Sequence, residues 1–198
     1  MNNKYVMTRS RNIAFLRENL VRYLYNCLLL SRYEVTYQEI PELLENNPRE
    51  TEMQIALANF KEAFDYLCEN EETADYETLL TLHKMLMKGL NDEVKSVLSE
   101  AQIEELNTMI NQPAKANTEI AIDAMLFILI NKLFSDGDVR VSLMFANKIL
   151  VDNGNGIITV APEHDAIFRQ KMKEFREGDS DFKEWIYRYC VQGVRIDY

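Results

Sequence analysis

The chain contains 198 residues, of which 47% are hydrophobic and 27% charged, and its formal net charge is −10. This length and composition predict one globular domain with a sizeable core. The excess of acidic residues argues against nucleic acid as a partner, because phosphate backbones are bound through clustered Lys and Arg.

No segment of the sequence predicts a membrane protein. The N-terminus lacks the apolar run and cleavage site of a signal peptide, and the longest apolar block, residues 124–130, is far shorter than the roughly 20 residues that span a bilayer. Three cysteines, Cys27, Cys68 and Cys190, are far apart and lack metal-ligand spacing, so we expect buried, reduced thiols. The sequence therefore predicts a cytoplasmic protein without a membrane partner.

The first half of the chain predicts a series of amphipathic helices. Apolar residues at three- and four-residue steps predict one long helix from Arg9 to Ser31. Thr36 followed by Glu39 has the capping-box pattern, which predicts a short helix through Leu44. Ser, Thr and Asp are favoured N-caps because their side-chain oxygens accept hydrogen bonds from free N–H groups at a helix start. Further helices are accordingly predicted to begin at Thr51, at Thr73 or Asp75, and at Ser99.

Two central helices, spanning 118–133 and 140–151, are predicted next. Residues 120–130 are apolar on every side except at Asp123, which is typical of a helix enclosed in a core. The segment from Ser135 to Asp138 then interrupts the pattern with turn residues. The second helix would present unpaired N–H groups to a ligand in the loop, together with the side chain of Arg140, and this arrangement suits a phosphate.

The C-terminal part predicts a strand and two more helices. Asn153-Gly-Asn-Gly156 has the composition of a hairpin turn, and the β-branched run at 157–160 predicts a short strand. Pro162 opens a predicted helix, and Asp179 or Ser180 is predicted to cap a last one through Val194. The expected fold class is therefore all-α with at most one short β-hairpin.

The loop between the central helices resembles the signature of the Fic (Fido) family, His-x-Phe-x-Asp/Glu-Gly-Asn-x-Arg-x-x-Arg. Four residues match at the family's spacing, namely Phe134, Asp136, Gly137 and Arg140. Four others depart from it: Lys132 stands at the His, Asp138 at the Asn, Val139 at a place usually held by Gly, and Leu143 at the second Arg.

Two flanking segments extend the resemblance to roughly residues 15–195. Residues 82–86 are similar to the family's Leu-His-x-x-Leu helix. Residues 31–40 resemble the segment that carries an inhibitory glutamate in many members, with Glu34 at the position of that glutamate. The resemblance implies a single Fic-like helical bundle over 1–198, with N-terminal helices and the inhibitory-like stretch in 1–50 and the core in 51–198.

The resemblance also implies a site for ATP and Mg²⁺. It places nucleotide phosphates against the loop backbone and motif Arg, Mg²⁺ on Asp136, a catalytic base at the position of Lys132, and a regulatory role on Glu34. Asp138 would add a second carboxylate to the metal site. The expected nucleotide-binding residues are Phe134, Gly137, Asp138, Val139 and Arg140.

The departures from the signature weaken each of these roles. Lys132 could act as a base only if its pKa fell from about 10.4 to near 7, whereas nearby aspartates favour the ammonium form. We favour a lysine that extends into solvent or pairs with one of those aspartates. A carboxylate about 4 Å from a phosphate repels it by roughly 4 kcal/mol at an effective dielectric near 20. The attraction of a phosphate to a helix N-terminus would offset only about 0.3–1 kcal/mol of this repulsion.

More than one interpretation also remains for Asp136, Asp138, Val139 and Glu34. Asp136 and Asp138 could hold Mg²⁺ together, or either could simply cap the following helix. Val139 would be strained if the loop required a left-handed conformation there. Glu34 has lost its expected partner, because that position is Leu143, and it could be an ordinary surface acid.

Two functions are compatible with these residues. The favoured one is a degenerate Fic relative that no longer transfers AMP and serves as a binding or regulatory module for an unidentified protein partner, a second copy of the chain included. The alternative is an active nucleotidyltransferase of altered chemistry that uses Mg-ATP. Neither His83, expected at the edge of the core, nor His164, expected on the surface, forms part of a recognisable catalytic set.

Overall fold

The computed structural model describes residues 1–91, 98–178 and 181–194. This part of the chain contains ten α-helices and one two-stranded sheet, which confirms the all-α class. The N-terminal half contains α1 (Arg9–Glu18), α2 (Leu20–Leu30), α3 (Glu39–Asn46), α4 (Glu52–Glu69), α5 (Tyr76–Met87) and α6 (Glu100–Ile110). The C-terminal half contains α7 (Asn117–Asn131), α8 (Asp138–Asp152), β1 (Ile157–Ile158), a 3-10 turn (Pro162–His164), α9 (Asp165–Arg176), α10 (Phe182–Trp185), a π-helical turn (Ile186–Cys190) and β2 (Val191–Gln192).

Helices α7 and α8 form the centre of the fold, as the sequence predicts. They pack against each other along their length, and α4 and α5 pack against α8. Helix α7 is buried from Thr118 to Leu129 except at Glu119 and Asp123, and all residues of α8 from Val141 to Val151 are buried. Because both helices are enclosed, the loop that joins them is held by its surroundings.

The predicted N-caps at Thr51, Asp75 and Ser99 are confirmed, since each side chain accepts a hydrogen bond from the backbone of its helix. The Thr36–Glu39 pair also forms, with Glu39 Oε2 2.7 Å from the Thr36 amide nitrogen. However, this contact closes a turn ahead of α3, which begins at Glu39 and not after Thr36.

The single helix predicted from Arg9 to Ser31 is wrong, because Asn19 divides it into α1 and α2. The Asn19 side chain donates to the carbonyl oxygen of Phe15 at 2.8 Å, a local bond that competes with helix continuation. In α1 the buried Asn12 donates to the carbonyl oxygens of Leu150 and Gly156, which fixes α1 against the end of α8.

The expected hairpin after Asn153 is also wrong. Strand β1 pairs in antiparallel fashion with β2, so that Ile157 lies opposite Gln192, and the turn at 153–156 joins α8 to β1. The last helical segment accordingly ends at Cys190, directly before β2, and does not continue to Val194. The predicted caps Asp179 and Ser180 lie outside the described residues.

Cys27, Cys68 and Cys190 are buried free thiols, as expected. Among the described residues, none of the helices combines the length and the apolar composition needed to cross a bilayer.

Candidate functional site

The loop between α7 and α8 reverses the chain within six residues. Helix α7 ends at Lys132, which adopts a left-handed conformation with φ 49° and donates its N–H to the carbonyl oxygen of Ile128. Helix α8 begins at Asp138, directly after Gly137 with φ 84°. Val139 is already helical, so the strain considered for it does not arise.

Gly137 is required by space as well as by its backbone angle. A Cβ atom at this position would lie 2.6 Å from Met87 Sδ and 3.1 Å from His83 Nε2. These distances are below van der Waals contact, and both neighbours belong to the packed face of α5. The match of this glycine to the signature therefore has a steric cause in this chain.

His83, on α5, contacts the loop through its ring face and through one ring nitrogen. Its ring stacks on that of Phe134 with centroids 3.8 Å apart, and its Nε2 lies 2.8 Å from the carbonyl oxygen of Asp136. Since a carbonyl oxygen only accepts, His83 Nε2 must carry the proton and donate it. Burial lowers the pKa of His83, so the neutral ring is favoured. His83 lies at the core, as expected, but the sequence analysis missed its bond to the loop.

Asp138 braces the loop. Its Oδ1 accepts a hydrogen bond from the Phe134 amide at 3.1 Å, and the Leu133 amide lies close enough to favour the ionised carboxyl group. Burial nevertheless raises the pKa of Asp138 to about 6, because removal from water disfavours the ionised form. Within the described chain no side chain caps the start of α8, so Asp138 does not have the capping role that we considered.

Asp136 is exposed, and its Oδ1 accepts a hydrogen bond from the Gly137 amide at 2.7 Å. Each member of the predicted metal pair thus has one oxygen engaged by the loop backbone. In residues 1–91, 98–178 and 181–194, no three His, Cys, Asp or Glu side chains converge as metal ligands. Asp136 and Asp138 would supply two carboxylates to a Mg²⁺ ion at this loop, and its remaining ligands would be other oxygens, such as those of a bound phosphate.

Arg140 connects α8 to the segment after α2. Its guanidinium group lies over the ring of Tyr33, 5.5 Å from the centroid, and its Nη2 donates to the Tyr33 hydroxyl at 3.0 Å. Glu34, the expected regulatory residue, is exposed and has no side-chain hydrogen bond or ion pair in the described part of the chain. Leu143, at the second Arg position, is buried in the core.

A cleft of about 370 Å³ opens above the loop, between the end of α2 and helix α9. Although the whole chain is acidic, basic side chains dominate this cleft. Five of them line it, against two carboxylates: Arg32, Lys132, Arg140, Arg169 and Arg176 against Asp136 and Asp138. Arg169 is also ion-paired with Asp165 at 2.9 Å, but the other four cations still outnumber the two carboxylates of the lining.

The two arginines of α9 were missed by the sequence analysis. Arg169 donates to the carbonyl oxygen of Leu30 at 2.7 Å and Arg176 to that of Leu129 at 2.9 Å, so they bind the C-terminal ends of α2 and α7. Their spacing of seven residues, which places both on one face of a helix, was a usable signal. It does not reveal which part of the chain that face meets.

Comparison with known proteins gives structural matches alone. No family model matches the sequence, and no curated protein does. A fragment of Fic-1 from C. elegans carrying one substitution superposes with a TM-score of 0.76 at 14% identity, covering 94% of this chain and 64% of that one. A second Fic-1 structure has a TM-score of 0.75 at 14% identity, with coverages of 87% and 59%.

A bacterial structure is also similar. A Fic domain containing signaling protein from Bacteroides thetaiotaomicron has a TM-score of 0.60 at 15% identity, covering 79% of this chain and 71% of that one. The present chain spans about three fifths of the length of the C. elegans chains. At such identities the similarity establishes the fold and not the activity. The chain has the Fic fold.

Proposed function

We propose that this Fic-fold chain binds a phosphate-bearing ligand, such as a nucleotide, in the cleft above the loop and does not transfer AMP. The observation that carries the proposal is the convergence of five cationic side chains on that cleft in an acidic chain. Charge-assisted hydrogen bonds from Arg and Lys to phosphate oxygens are among the strongest polar contacts in proteins. The described cleft thus supports a binding module.

The loop offers no general base at the position where the family has one. Lys132 is exposed, and it lies close enough to Asp138 to influence the titration of that carboxyl group. A lysine ammonium group has three N–H donors and no acceptor, so it suits a phosphate oxygen better than the proton of a target hydroxyl. His83 is neutral, but its Nε2 proton is donated to the loop and its ring lies under Phe134.

The remaining substitutions remove further contributions to AMP transfer. Leu143 places an aliphatic side chain in the core where the family has its second Arg. The retained Arg140 already donates to Tyr33. A ligand would therefore meet cations that can hold phosphate oxygens, with no group placed to activate a target hydroxyl.

Incubation with radiolabelled ATP and Mg²⁺ tests the absence of transfer. We expect no label on the chain itself or on added hydroxyl-bearing proteins. Covalent labelling that Lys132→Ala abolishes would overturn this part of the proposal, because it would make Lys132 a participant in the reaction.

A binding assay tests the other part. Titration with ATP should give saturable binding that Arg140→Ala weakens. Arg11→Ala is the matched control, because Arg11 is an exposed arginine on α1 that does not line the cleft, and it removes the same charge. Equal weakening by the two variants would mean that the effect comes from net charge and not from the cleft.

A further inference from the structure

Resting on the phosphate-binding function proposed above, we infer that the cleft holds a diphosphate or triphosphate group without a divalent metal ion, and that Lys132 and Arg32 supply the charge that the metal would otherwise contribute.

The carboxylates of Asp136 and Asp138 support this inference, because both contact the loop backbone. Asp138 is directed back to the amides of Leu133 and Phe134, and Asp136 accepts from the Gly137 amide. A carboxylate engaged in this way shapes the loop and has fewer oxygen lone pairs left for a cation. Both groups are better explained as supports of the loop than as metal ligands.

The positions of Lys132 and Arg32 also support the inference. Lys132 ends α7 and Arg32 follows α2, and each adopts a left-handed conformation with φ 49° and 66° respectively. Helices commonly end on a left-handed Gly or Asn, because other residues are strained in that conformation. Here both positions hold a cation, both side chains are exposed, and both line the cleft. Neither has a hydrogen bond or ion pair from its charged group to any described residue.

The ends of the helices around the cleft also contribute to its electrostatic potential. The carbonyl ends of α2 and α7 point toward it with partial negative charge. Arg169 and Arg176 donate to carbonyl oxygens at those ends, which offsets that charge. Arg169 also pairs with Asp165 through Nε, and because a guanidinium group has five N–H donors, both arginines retain others. The uncapped start of α8 contributes partial positive charge from the loop side.

The size of the cleft is compatible with this ligand. Its volume of about 370 Å³ lies within the roughly 300–1,000 Å³ of small-molecule sites. Lys132, Arg32 and the first residues of α8 all line it.

Calorimetric titration of pyrophosphate, and of ATP, in the presence of EDTA and again with excess Mg²⁺ tests the inference. We expect binding in EDTA, with no increase in affinity when Mg²⁺ is added. Lys132→Gln and Arg32→Gln should each weaken pyrophosphate binding by about tenfold or more, as expected for a lost charge-assisted bond. Arg11→Ala should leave the affinity unchanged.

Neutralising Asp136 or Asp138 distinguishes metal-free binding from metal-dependent binding, because the two predict opposite changes in affinity for pyrophosphate. Asp136→Asn and Asp138→Asn keep an oxygen that accepts the loop amides but remove the negative charge. Without a metal both variants should bind pyrophosphate several-fold more tightly, whereas metal ligands would show weaker binding when neutralised. Binding that requires Mg²⁺ and is lost in Asp136→Asn would refute the inference and leave phosphate binding intact. Absence of binding under both conditions would refute the proposed function as well. Unchanged thermal unfolding of each variant ensures that the comparison is made on folded protein.

Discussion

His83 Nε2 lies 2.8 Å from the carbonyl oxygen of Asp136, a contact that joins helix α5 to the loop between α7 and α8. Together with the stacking of His83 on Phe134, it fixes the shape of the loop through contacts within the chain. A binding site that is already formed loses less conformational entropy when it is occupied. His83 is thus a positioning residue for the cleft.

His83→Ala should lower the free energy of unfolding by about 2–4 kcal/mol, because it removes a buried hydrogen bond and leaves a cavity beneath Phe134. Urea denaturation at neutral pH measures this loss. His83→Gln, which retains an N–H donor, should lose less. His164→Ala is a suitable control, since its half-buried ring makes edge contacts near Trp185. A loss for His83→Ala no larger than for His164→Ala would contradict the positioning role.

Gly137→Ala should destabilise the chain by about 2–4 kcal/mol, which combines left-handed strain with overpacking against Met87. Gly178→Ala provides the matched comparison. Gly178 also has a positive φ, of 104°, but no described atom lies within 4 Å of the added Cβ position. We expect about 1 kcal/mol for Gly178→Ala from backbone strain alone. Chemical denaturation of both variants isolates the steric part, and equal losses would mean that α5 does not crowd the loop.

Asp138→Asn should raise the free energy of unfolding relative to the parent chain, and the increase should be larger at pH 7 than at pH 4. Burial raises the pKa of Asp138 from 3.8 to about 6, so its protonated form is favoured in the folded state. The stability that this carboxyl contributes is present below pH 3.8 and is lost as the pH rises through about 6. Asparagine does not ionise and avoids that loss.

Because the group is only half-buried, solvent screening reduces the expected gain for Asp138→Asn to on the order of 1 kcal/mol at pH 7. Unfolding free energies of both proteins at pH 4 and pH 7 provide the measurement. A difference between the proteins that does not grow with pH would show that Asp138 ionises without cost in the fold.

Tyr33→Phe should bind pyrophosphate several-fold more tightly than the parent chain. It removes the hydroxyl that accepts from Arg140 Nη2 while retaining the ring beneath the guanidinium group, and thereby frees a donor for phosphate. Glu34→Ala is the control on the neighbouring residue, and we expect it to change the affinity by less than about twofold, since an exposed charge away from a ligand is largely screened. A larger effect of Glu34→Ala than of Tyr33→Phe would restore the regulatory role expected for Glu34.

Local signals in the sequence account for much of the fold. The caps at Thr51, Asp75 and Ser99 depend on bonds within a few residues, and the enclosed position of α7 follows from apolar residues on all its faces. Such features are readable because the interacting groups are close in the chain or because one helix carries the whole pattern.

Features that depend on distant contacts were not readable. The break at Asn19 accompanies the docking of α1 on the end of α8 through Asn12, and β1 finds its partner in β2 more than thirty residues later. In the site, Arg169 and Arg176 reach the cleft because α9 packs near the ends of α2 and α7. Periodicity shows that a helix has a polar face, but tertiary packing decides what that face meets.

Isothermal titration of the chain with ATP, compared with Lys132→Glu, tests the central claim most directly. If cations at the cleft bind phosphate, the parent chain should give saturable one-to-one binding, and the charge reversal should weaken it by at least about tenfold. Absence of binding to the parent chain, or equal affinity of the two proteins, would contradict the account.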